Sequence, residues 1–349
     1  MTRFAWLQAR TQSIVVGAIL AALAITTAIT GVQLAHLYHS LIVPCQTGCD
    51  LAQNDFLSHD QFLQNALVFL MRLAPGVIGI FWGAPLITRE MENGTFRLAW
   101  TQSVSRTRWL LTKLAVVGLS SIAVSGVLAL MVTWWFRAID LVNLNQYGTF
   151  DMRDVVPIGY GAFAFAIGAL LGALIRRTLP AMAATLGAFV FARVAVTLWV
   201  RPNLLTPQHL SSNLLGADQF GFMIRNGGSP VLVAKASAGA NSWTLSTNFV
   251  TSSGHVASSN ELKAFVHQYC PQIGLPPSGP PPGKARVPAG IPEAFQNCQA
   301  AAGRTYHLVV NYIPAGRYWT LQWLELGVFL ALAALALVGC FWWVTRRSN

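Results

Sequence analysis

Six long apolar runs dominate the hydrophobic pattern of the chain, and each is long enough to cross a membrane. A transmembrane helix needs about 20 mostly apolar residues. Runs of that length predict helices over Ile14–Leu34, Asn65–Leu86, Leu114–Phe136, Val155–Ile175, Leu179–Val200 and Leu321–Val344. Tryptophans lie near the ends of the third and sixth runs, as expected where a helix crosses the membrane interface. The pattern therefore predicts an all-α membrane protein with six transmembrane helices.

Composition agrees with this fold class and excludes an ordinary soluble protein. Hydrophobic residues make up 54% of the 349 residues and charged residues only 10%, whereas soluble domains carry about 25% charged residues. The net charge of +11 would suit nucleic acid, but no nucleic-acid-binding signature accompanies it. We expect the lipid bilayer, and no nucleic acid, as a partner.

The distribution of Lys and Arg predicts which way the helices face. With the N-terminus in the cytoplasm, the short outer loops hold only Arg137 and Arg153. The inner segments hold eleven: Arg3, Arg10, Arg89, Arg97, Arg106, Arg108, Lys113, Arg176, Arg177, Arg346 and Arg347. Because basic residues accumulate on the cytoplasmic side, both termini are predicted to be cytoplasmic, in a multi-pass protein of the inner (plasma) membrane.

The N-terminal segment raises the question of a secretory signal, because Arg3 and Arg10 precede the first apolar run. That run is too long for a signal core, so we expect a retained helix. A short interfacial helix over Phe4–Gln12 is predicted to precede it.

Four cysteines fall in segments that this topology places outside the cell. Cys45 and Cys49 lie in the first outer loop, and Cys270 and Cys298 lie in the last. An oxidising compartment favours disulfides there. Of the three possible connectivities, we prefer Cys45–Cys49 with Cys270–Cys298. A metal site at Cys45 and Cys49 is the alternative, but the nearby histidines lack a recognisable zinc spacing.

Residues 201–318 form the only sizeable region outside the membrane, between residues 1–200 with the first five helices and residues 319–349 with the sixth. Short strands are predicted at Val231–Ala234 and Tyr306–Tyr312 and a helix at Glu261–Tyr269. A Pro-rich segment, Pro271–Pro292, favours extended backbone. The expectation is a small, loop-rich outer domain whose fold and ligand stay open.

The sequence offers no sign of an enzyme. It contains no Gly-x-x-x-x-Gly-Lys-Ser/Thr loop for phosphates, no His-Glu-x-x-His pair and no Gly-x-Ser-x-Gly elbow. We therefore expect no catalytic residues, no metal site and no cofactor in this chain.

The longest inner segment, residues 88–109, lies between the second and third helices. Glu90 and Glu92 are acids placed just inside the membrane, and Gly94 is expected to break the helix that leaves it. Thr95 would then cap a short helix over Phe96–Gln102. A helix, a break and a second helix with mixed charges indicate a docking surface for a cytoplasmic partner.

This segment resembles the signature of ABC transporter permeases of the type-2 export class, in the form found in actinobacterial members. The likeness rests on Arg89-Glu90-x-Glu92-x-Gly94-Thr95, then Trp100-Thr101-Gln102, then Arg106-Thr107-Arg108-Trp109 and Lys113. Residues 176–185 also resemble those proteins. The likeness covers the six helices and the inner loops, and it says little about residues 201–318.

The resemblance implies a membrane-spanning subunit that works with a separate ATP-binding-cassette ATPase, which would bind ATP and Mg. It implies that the segment after the second helix contains a coupling helix, and we carry that role to Glu90, Glu92, Gly94, Thr95 and Arg106. Two permease chains, identical or different, would pair with two ATPases. The expected activity is export of an amphipathic or hydrophobic compound.

Three charged residues fall within the predicted helices: Arg72, Arg193 and Glu325. At 1.5 Å per residue each lies roughly 8–14 Å from the outer end of its helix. One hypothesis is that Glu325 pairs with Arg193 or Arg72 and shapes the outer mouth of a translocation path. The alternative is a structural ion pair, or arginines that extend toward the interface.

Two other function classes stay open. A secondary transporter would use Arg72, Arg193 and Glu325 as coupling charges, although the chain shows no obvious inverted repeat. A membrane sensor or assembly protein would bind a ligand through residues 201–318. The secondary transporter would leave the segment from Glu90 to Arg106 unexplained, whereas the sensor would use that segment to signal.

Overall fold

The computed structural model describes residues 2–92, 106–214, 219–223, 230–236, 238–270 and 291–347. The chain divides into two compact units. The first comprises Met1–Leu204 with Tyr318–Asn349, and the second comprises Leu205–Arg317. The first unit is a helical bundle and the second contains the β-strands.

The described residues contain six helical segments long and apolar enough to cross a membrane, which confirms the predicted number. We call them spans one to six: Ile14–Ile42, Gln61–Arg89, Thr107–Asn143, Val156–Ile175, Thr178–Asn203 and Ala315–Arg346. Most are longer than the apolar runs because the helices continue into the polar residues that flank them. Each predicted run overlaps its span.

The α-helices of the bundle are Thr2–Leu37, Gln61–Ile78, Pro85–Glu92, Arg106–Asn143, Val156–Ile175, Thr178–Ala195 and Tyr318–Arg347, with a short helix, Asp50–His59, between the first two. Wider π turns extend three of these at Tyr38–Ile42, Gly79–Gly83 and Val196–Val200, and 3₁₀ turns occur at Gln146–Thr149, Arg201–Asn203 and Ala315–Arg317. The separate interfacial helix predicted over Phe4–Gln12 is wrong. One continuous helix begins at Thr2, because the sequence between Gln12 and Ile14 contains no glycine or proline to interrupt it.

Span two changes its helical geometry just before a proline. Pro85 has no N–H to donate, and its ring would clash with the carbonyl four residues earlier in a regular α-helix. The chain forms a π turn over Gly79–Gly83, in which the Ala84 N–H donates to the Gly79 carbonyl at 2.9 Å. The wider turn therefore lets span two continue through Pro85.

Span four is the centre of the bundle. In its most apolar stretch 67% of the residues are buried, against 6% for span one. Small residues permit this burial. A Cβ on Gly79 would lie 2.7 Å from the Ala164 carbonyl oxygen, and one on Gly168 would lie 2.6 Å from the Gly79 carbonyl oxygen. Spans two and four thus approach backbone to backbone, as small-residue helix interfaces in membranes do.

The described residues of the second unit form two antiparallel sheets. The strands are β1 Gln208–Ser212, β2 Gln219–Met223, β3 Val231–Lys235, β4 Trp243–Thr251 and β5 Tyr306–Ile313. The order is β1-β5-β4 in one sheet and β2-β3 in the other. Helices Ser259–Tyr269 and Ile291–Thr305 also belong to this unit, whose core includes Phe265, Leu308 and Val310.

The expectation of a loop-rich region was therefore only partly right. The predicted strands at β3 and β5 are present, and so is the helix that ends at Tyr269. Strands β1, β2 and β4 were not predicted. In β1 and β4 the content of Ser, Thr, Gln and Asn made the segments look like loops. Most of the Pro-rich segment lies outside the described residues.

Both predicted disulfides are present. Cys45 bonds to Cys49 with 5.9 Å between their Cα atoms, and Cys270 bonds to Cys298 with 5.3 Å. Cys270 and Cys298 are buried in the core of the second unit, so this bond ties helix Ser259–Tyr269 to helix Ile291–Thr305.

Candidate functional site

Among the residues that the structure describes, polar side chains are concentrated at two places in the bundle. One lies among spans two, four, five and six and the segment between spans three and four. The other lies where span two ends and span five begins. The first contains the intramembrane charges predicted from the sequence, and the second contains part of the predicted coupling region.

Glu325 is fully buried and forms the centre of a polar triad. Its carboxylate accepts two hydrogen bonds from Arg201, at 2.6 Å from Nε and 2.7 Å from Nη2. It accepts a third from the Tyr160 hydroxyl at 2.6 Å. Arg201 is itself nearly buried, and its guanidinium also lies over the Phe150 ring. A two-pronged arginine–carboxylate contact of this kind is among the stronger polar interactions in proteins.

The predicted partners of Glu325 were wrong. Neither Arg193 nor Arg72 contacts its carboxylate, and Arg201 takes that place. Arg201 follows the apolar run of span five and was assigned to the outer domain for that reason. The π turn Val196–Val200 and the 3₁₀ turn that starts at Arg201 prolong the helix, so Arg201 stays within the bundle and faces Glu325.

Arg193 and Arg72 share a different acid, Asp151, from the segment between spans three and four. Arg193 Nη2 donates to Asp151 Oδ2 at 2.8 Å, and its Nη1 donates to the backbone carbonyl of Arg72 at 2.9 Å. The Nε atom of Arg72 lies 3.8 Å from the same Oδ2 atom. Arg193 therefore connects span five both to span two and to Asp151.

Tyr160 joins these two groups of charges. Its hydroxyl belongs to the Glu325 triad, and the Arg193 guanidinium lies 4.5 Å from its ring centre. Such a placement of a cation over an aromatic face is attractive, and more so away from water. Span four thus presents one side chain that contacts the charges of both spans five and six.

A third group of charges fixes the segment between spans three and four. Arg153 is buried and contacts Asp140 at 2.5 Å and Asp154 at 3.6 Å. The Tyr318 hydroxyl donates to Asp154, and Gln322 donates to the Phe150 carbonyl at 3.0 Å. These contacts hold residues 150–154 against spans three and six, and so they fix the position from which Asp151 reaches the arginines.

At the other end of the bundle, Glu92 binds the first residue of span five. Its carboxylate accepts a hydrogen bond from the Thr178 backbone N–H at 2.8 Å and one from the Thr178 hydroxyl at 2.5 Å. The same hydroxyl contacts Thr88 at 3.1 Å. These bonds lower the pKa of the Glu92 carboxyl below its ordinary value, the side-chain bond from Thr178 having the largest effect.

The local sequence explains why span five uses an acid from another helix. The first N–H groups of a helix have no partner within it, and a Ser, Thr, Asp or Asn at the preceding position usually accepts from them. Here that position is Arg177, which has extended backbone and makes no side-chain cap. Glu92 supplies the missing acceptor, and its negative charge also suits a helix N-terminus.

The other predicted coupling residues are only partly described. Glu90 belongs to helix Pro85–Glu92, and Arg106 is the first residue of helix Arg106–Asn143. Gly94 and Thr95 lie outside the described residues, as does the short helix predicted over Phe96–Gln102. These assignments stay predictions.

Among the side chains missed from the sequence are the three that contact the predicted intramembrane charges: Tyr160, Asp151 and Arg201. Tyr160 stands alone in an apolar run, where a hydroxyl needs a buried partner, and that signal was available. Asp151 lies in a connection between spans, and Arg201 lies beyond an apolar run. Nothing in their immediate sequence indicates that they contact intramembrane charges.

The family model described as ABC-2 membrane transporter related matches residues 17–201, more than half of the chain. The chain belongs to this family. The matched region of this ABC-2 protein begins within span one and ends at Arg201, and it includes Glu92, Thr178, Arg72 and Arg193. No curated protein matches the chain.

Family membership and the six apolar helices establish an ABC-2-type, multi-pass membrane protein. Members of the family are membrane subunits of transporters and are not themselves catalytic. The family implies, in general terms, an ABC ATPase as a partner. In this ABC-2 protein the second unit and span six, with Glu325, lie outside the matched region.

Proposed function

We propose that the chain is the permease subunit of an ATP-driven exporter that moves an amphipathic or hydrophobic compound out of the cell. A separate ABC ATPase would bind ATP and Mg and hydrolyse the nucleotide. A second permease chain, identical or different, would complete the membrane part. Membership of the ABC-2 family supports the transporter role, and the contact between Glu92 and Thr178 carries the proposal for coupling.

We place both termini and residues 93–105 on the cytoplasmic side, and the second unit outside. The excess of Lys and Arg in the segments assigned to the cytoplasm supports this orientation. The disulfides support it too, since both occur in segments assigned to the outside, where oxidation is expected.

The coupling proposal follows from the position of Glu92. Helix Pro85–Glu92 continues span two and leads directly into residues 93–105. Because Glu92 also binds Thr178, a displacement of this connection would act on spans two and five together. Spans two and five meet again farther along, where Arg193 donates to the Arg72 carbonyl. Two contacts at separate levels favour movement of the two spans as a pair.

The proposed mechanism is alternating access without covalent chemistry in this chain. Nucleotide binding brings the ATPases together, and the docked connection after span two moves with them. The span pair then favours the outward-open arrangement. A ligand or nucleotide shifts such an equilibrium only by binding the two arrangements with different free energies, so the coupling depends on contacts at the connection.

The experiment is affinity purification of the full chain in mild detergent, followed by mass spectrometry. An ABC ATPase should copurify with the native chain and be lost from the Glu90→Lys/Glu92→Lys variant. A matched control reverses two exposed acids on the helix between spans one and two, Asp50→Lys/Asp55→Lys, and should retain the ATPase. Absence of an ATPase from the native chain under all conditions would contradict the proposal.

A second variant separates docking from transmission. Thr178→Val removes the hydroxyl that donates to Glu92 and leaves the backbone N–H and the charge of Glu92 unchanged. We expect this variant to retain the ATPase. The rate at which the bound ATPase hydrolyses ATP should be altered. Loss of the ATPase from Thr178→Val would instead show that the contact is needed only to shape the docking surface.

A further inference from the structure

Where spans two and five meet, two positive charges share a single negative charge. Two arginines, Arg72 and Arg193, share one acid, Asp151. The acid's Oδ2 atom is 2.8 Å from Arg193 but 3.8 Å from Arg72, so its hydrogen bond goes to Arg193. Within the described residues the Arg72 guanidinium donates no hydrogen bond, and its side chain is 55% exposed.

The other acids nearby are already occupied. Glu325 accepts from Arg201 and Tyr160, and Asp140 and Asp154 both contact Arg153. The Arg153 group has one acid more than it has cations, but its acids bind Arg153 and Tyr318 rather than Arg72. The excess positive charge at Arg72 is therefore local.

The surroundings of Arg72 are apolar and open. Phe69 lies one turn away on span two, and Val190 and Val194 lie within one turn of Arg193 on span five; all three are exposed hydrophobic residues. The bond from Arg193 to the Arg72 carbonyl keeps these two spans together at this level. A charged arginine within a span and facing outward has a high free-energy cost unless an anion or water reaches it.

We propose that Arg72 and Arg193 bind the acidic group of an amphiphile, a carboxylate or a phosphate, while its apolar part lies against the exposed hydrophobic side chains of spans two and five. A planar guanidinium matches the oxygens of either group with two parallel hydrogen bonds. The two arginines lie on the two spans that the coupling contact connects. The interpretation of this ligand as a transported compound rests on the proposed transporter function. The binding site itself can be tested without the ATPase.

The same geometry gives Asp151 a distinct role. Its carboxylate occupies the arginines in the absence of a ligand, so an incoming anion competes with it for Arg193. Removing the charge of Asp151 should therefore strengthen anion binding. A purely structural ion pair predicts the opposite sign or no change, because loss of Asp151 would only loosen the site.

The probe is radiolabelled decyl phosphate, bound to the full chain in phosphatidylcholine nanodiscs, with empty nanodiscs subtracted. Saturable binding should be displaced by decanoate and not by decanol. Arg72→Gln should weaken binding about tenfold or more, as expected for loss of a charge-assisted contact, and Arg72→Lys should retain part of it. Arg137→Gln, at an exposed arginine of span three, is the matched control and should bind as the native chain does.

Further arms identify the source of the anion and guard against misfolding. In phosphatidylglycerol nanodiscs the anionic lipid can compete with decyl phosphate. If decyl phosphate binds more weakly there than in phosphatidylcholine, and this difference requires Arg72, a lipid headgroup is an occupant of the site. Unchanged binding would favour a non-lipid amphiphile. Asp151→Asn should bind more tightly, with its thermal stability checked in parallel. Equal affinity of Arg72→Gln and native protein, or equal displacement by decanol, would overturn the proposal. Because no ATPase is present, this result is independent of the coupling experiment.

Discussion

Separating the buried pair of Glu325 and Arg201 should destabilise the bundle far more than removing both charges together. Glu325 is completely buried and Arg201 is 10% exposed, so either residue left alone would be a charge without its counter-ion inside the bundle. Removing one partner of a buried pair costs about 3–5 kcal/mol. Replacing both by apolar side chains of similar size is often close to neutral.

The variants are Glu325→Leu, Arg201→Met and the combination of the two. We expect each single variant to lower the free energy of unfolding by about 3 kcal/mol or more. The double variant should lose at least 2 kcal/mol less than the sum of the singles, which is a coupling typical of residues in direct contact. Tyr160→Phe, which removes one hydrogen bond to Glu325, should cost about 1 kcal/mol.

The assay is unfolding in mixed detergent micelles, followed by fluorescence of the 12 tryptophans. Native protein and all four variants would be compared at one detergent composition and one pH. Additive losses in the double variant would refute the reasoning, because they would show that Glu325 and Arg201 do not stabilise each other. A negligible loss in either single variant would also refute it, since the charge would then have access to water.

Other predictions follow from contacts elsewhere in the chain. Gly168→Val should cost about 1–3 kcal/mol through overpacking, measured as thermal stability, because the three atoms nearest to a Cβ there are all backbone atoms of span two. The control Gly187→Ala has open space and should be neutral or mildly stabilising. Replacing Cys270 and Cys298 by serine should lower the free energy of unfolding of the second unit by about 2–5 kcal/mol. Reductant should not lower the stability of the second unit any further in this variant. The contact with Thr178 lowers the pKa of Glu92 below its ordinary value of 4.5. The contact therefore stabilises the fold fully at pH values above 4.5, and this stabilisation is lost as the pH falls through the lower native pKa. The stability difference between native protein and Glu92→Gln should accordingly be constant near neutral pH and shrink in acid.

The sequence was sufficient to locate the spans because the membrane imposes a simple length and polarity requirement. Each apolar run had to supply about 20 residues, and each overlaps a span in the structure. The disulfides were also accessible, because the topology placed Cys45 close to Cys49 and Cys270 in the same segment as Cys298. These features depend on local composition and on the side of the membrane, and both can be read along one chain.

Pairing inside the bundle was not accessible in the same way. Arg72, Arg193 and Glu325 stood out as charges within apolar runs, but their partners are set by how the helices pack. Asp151 and Arg201 lie just outside those runs, so a search restricted to the runs could not include them. Arg201 can be recognised as the partner of Glu325 only when the rotation and end point of span five are known, and both depend on its terminal π turn.

The coupling role of Glu92 stays a prediction, and its contact with Thr178 was not predicted from the sequence. Its place in the segment after span two indicated coupling through the family resemblance. The contact with Thr178 has a local signal, since a helix that starts after Arg177 has no cap of its own. That signal tells which N–H groups need an acceptor, but it does not tell which acid supplies it.

The central claim, that the connection after span two docks an ATPase, can be tested most directly by site-specific photo-crosslinking. Benzoylphenylalanine would replace Phe96, which lies outside the described residues, and separately the exposed Phe62 near the start of span two. The account predicts a crosslink from position 96 to an ABC ATPase, sensitive to ATP, and none from position 62. A crosslink from position 62 alone, or from neither position in cells that contain the ATPase, would contradict it.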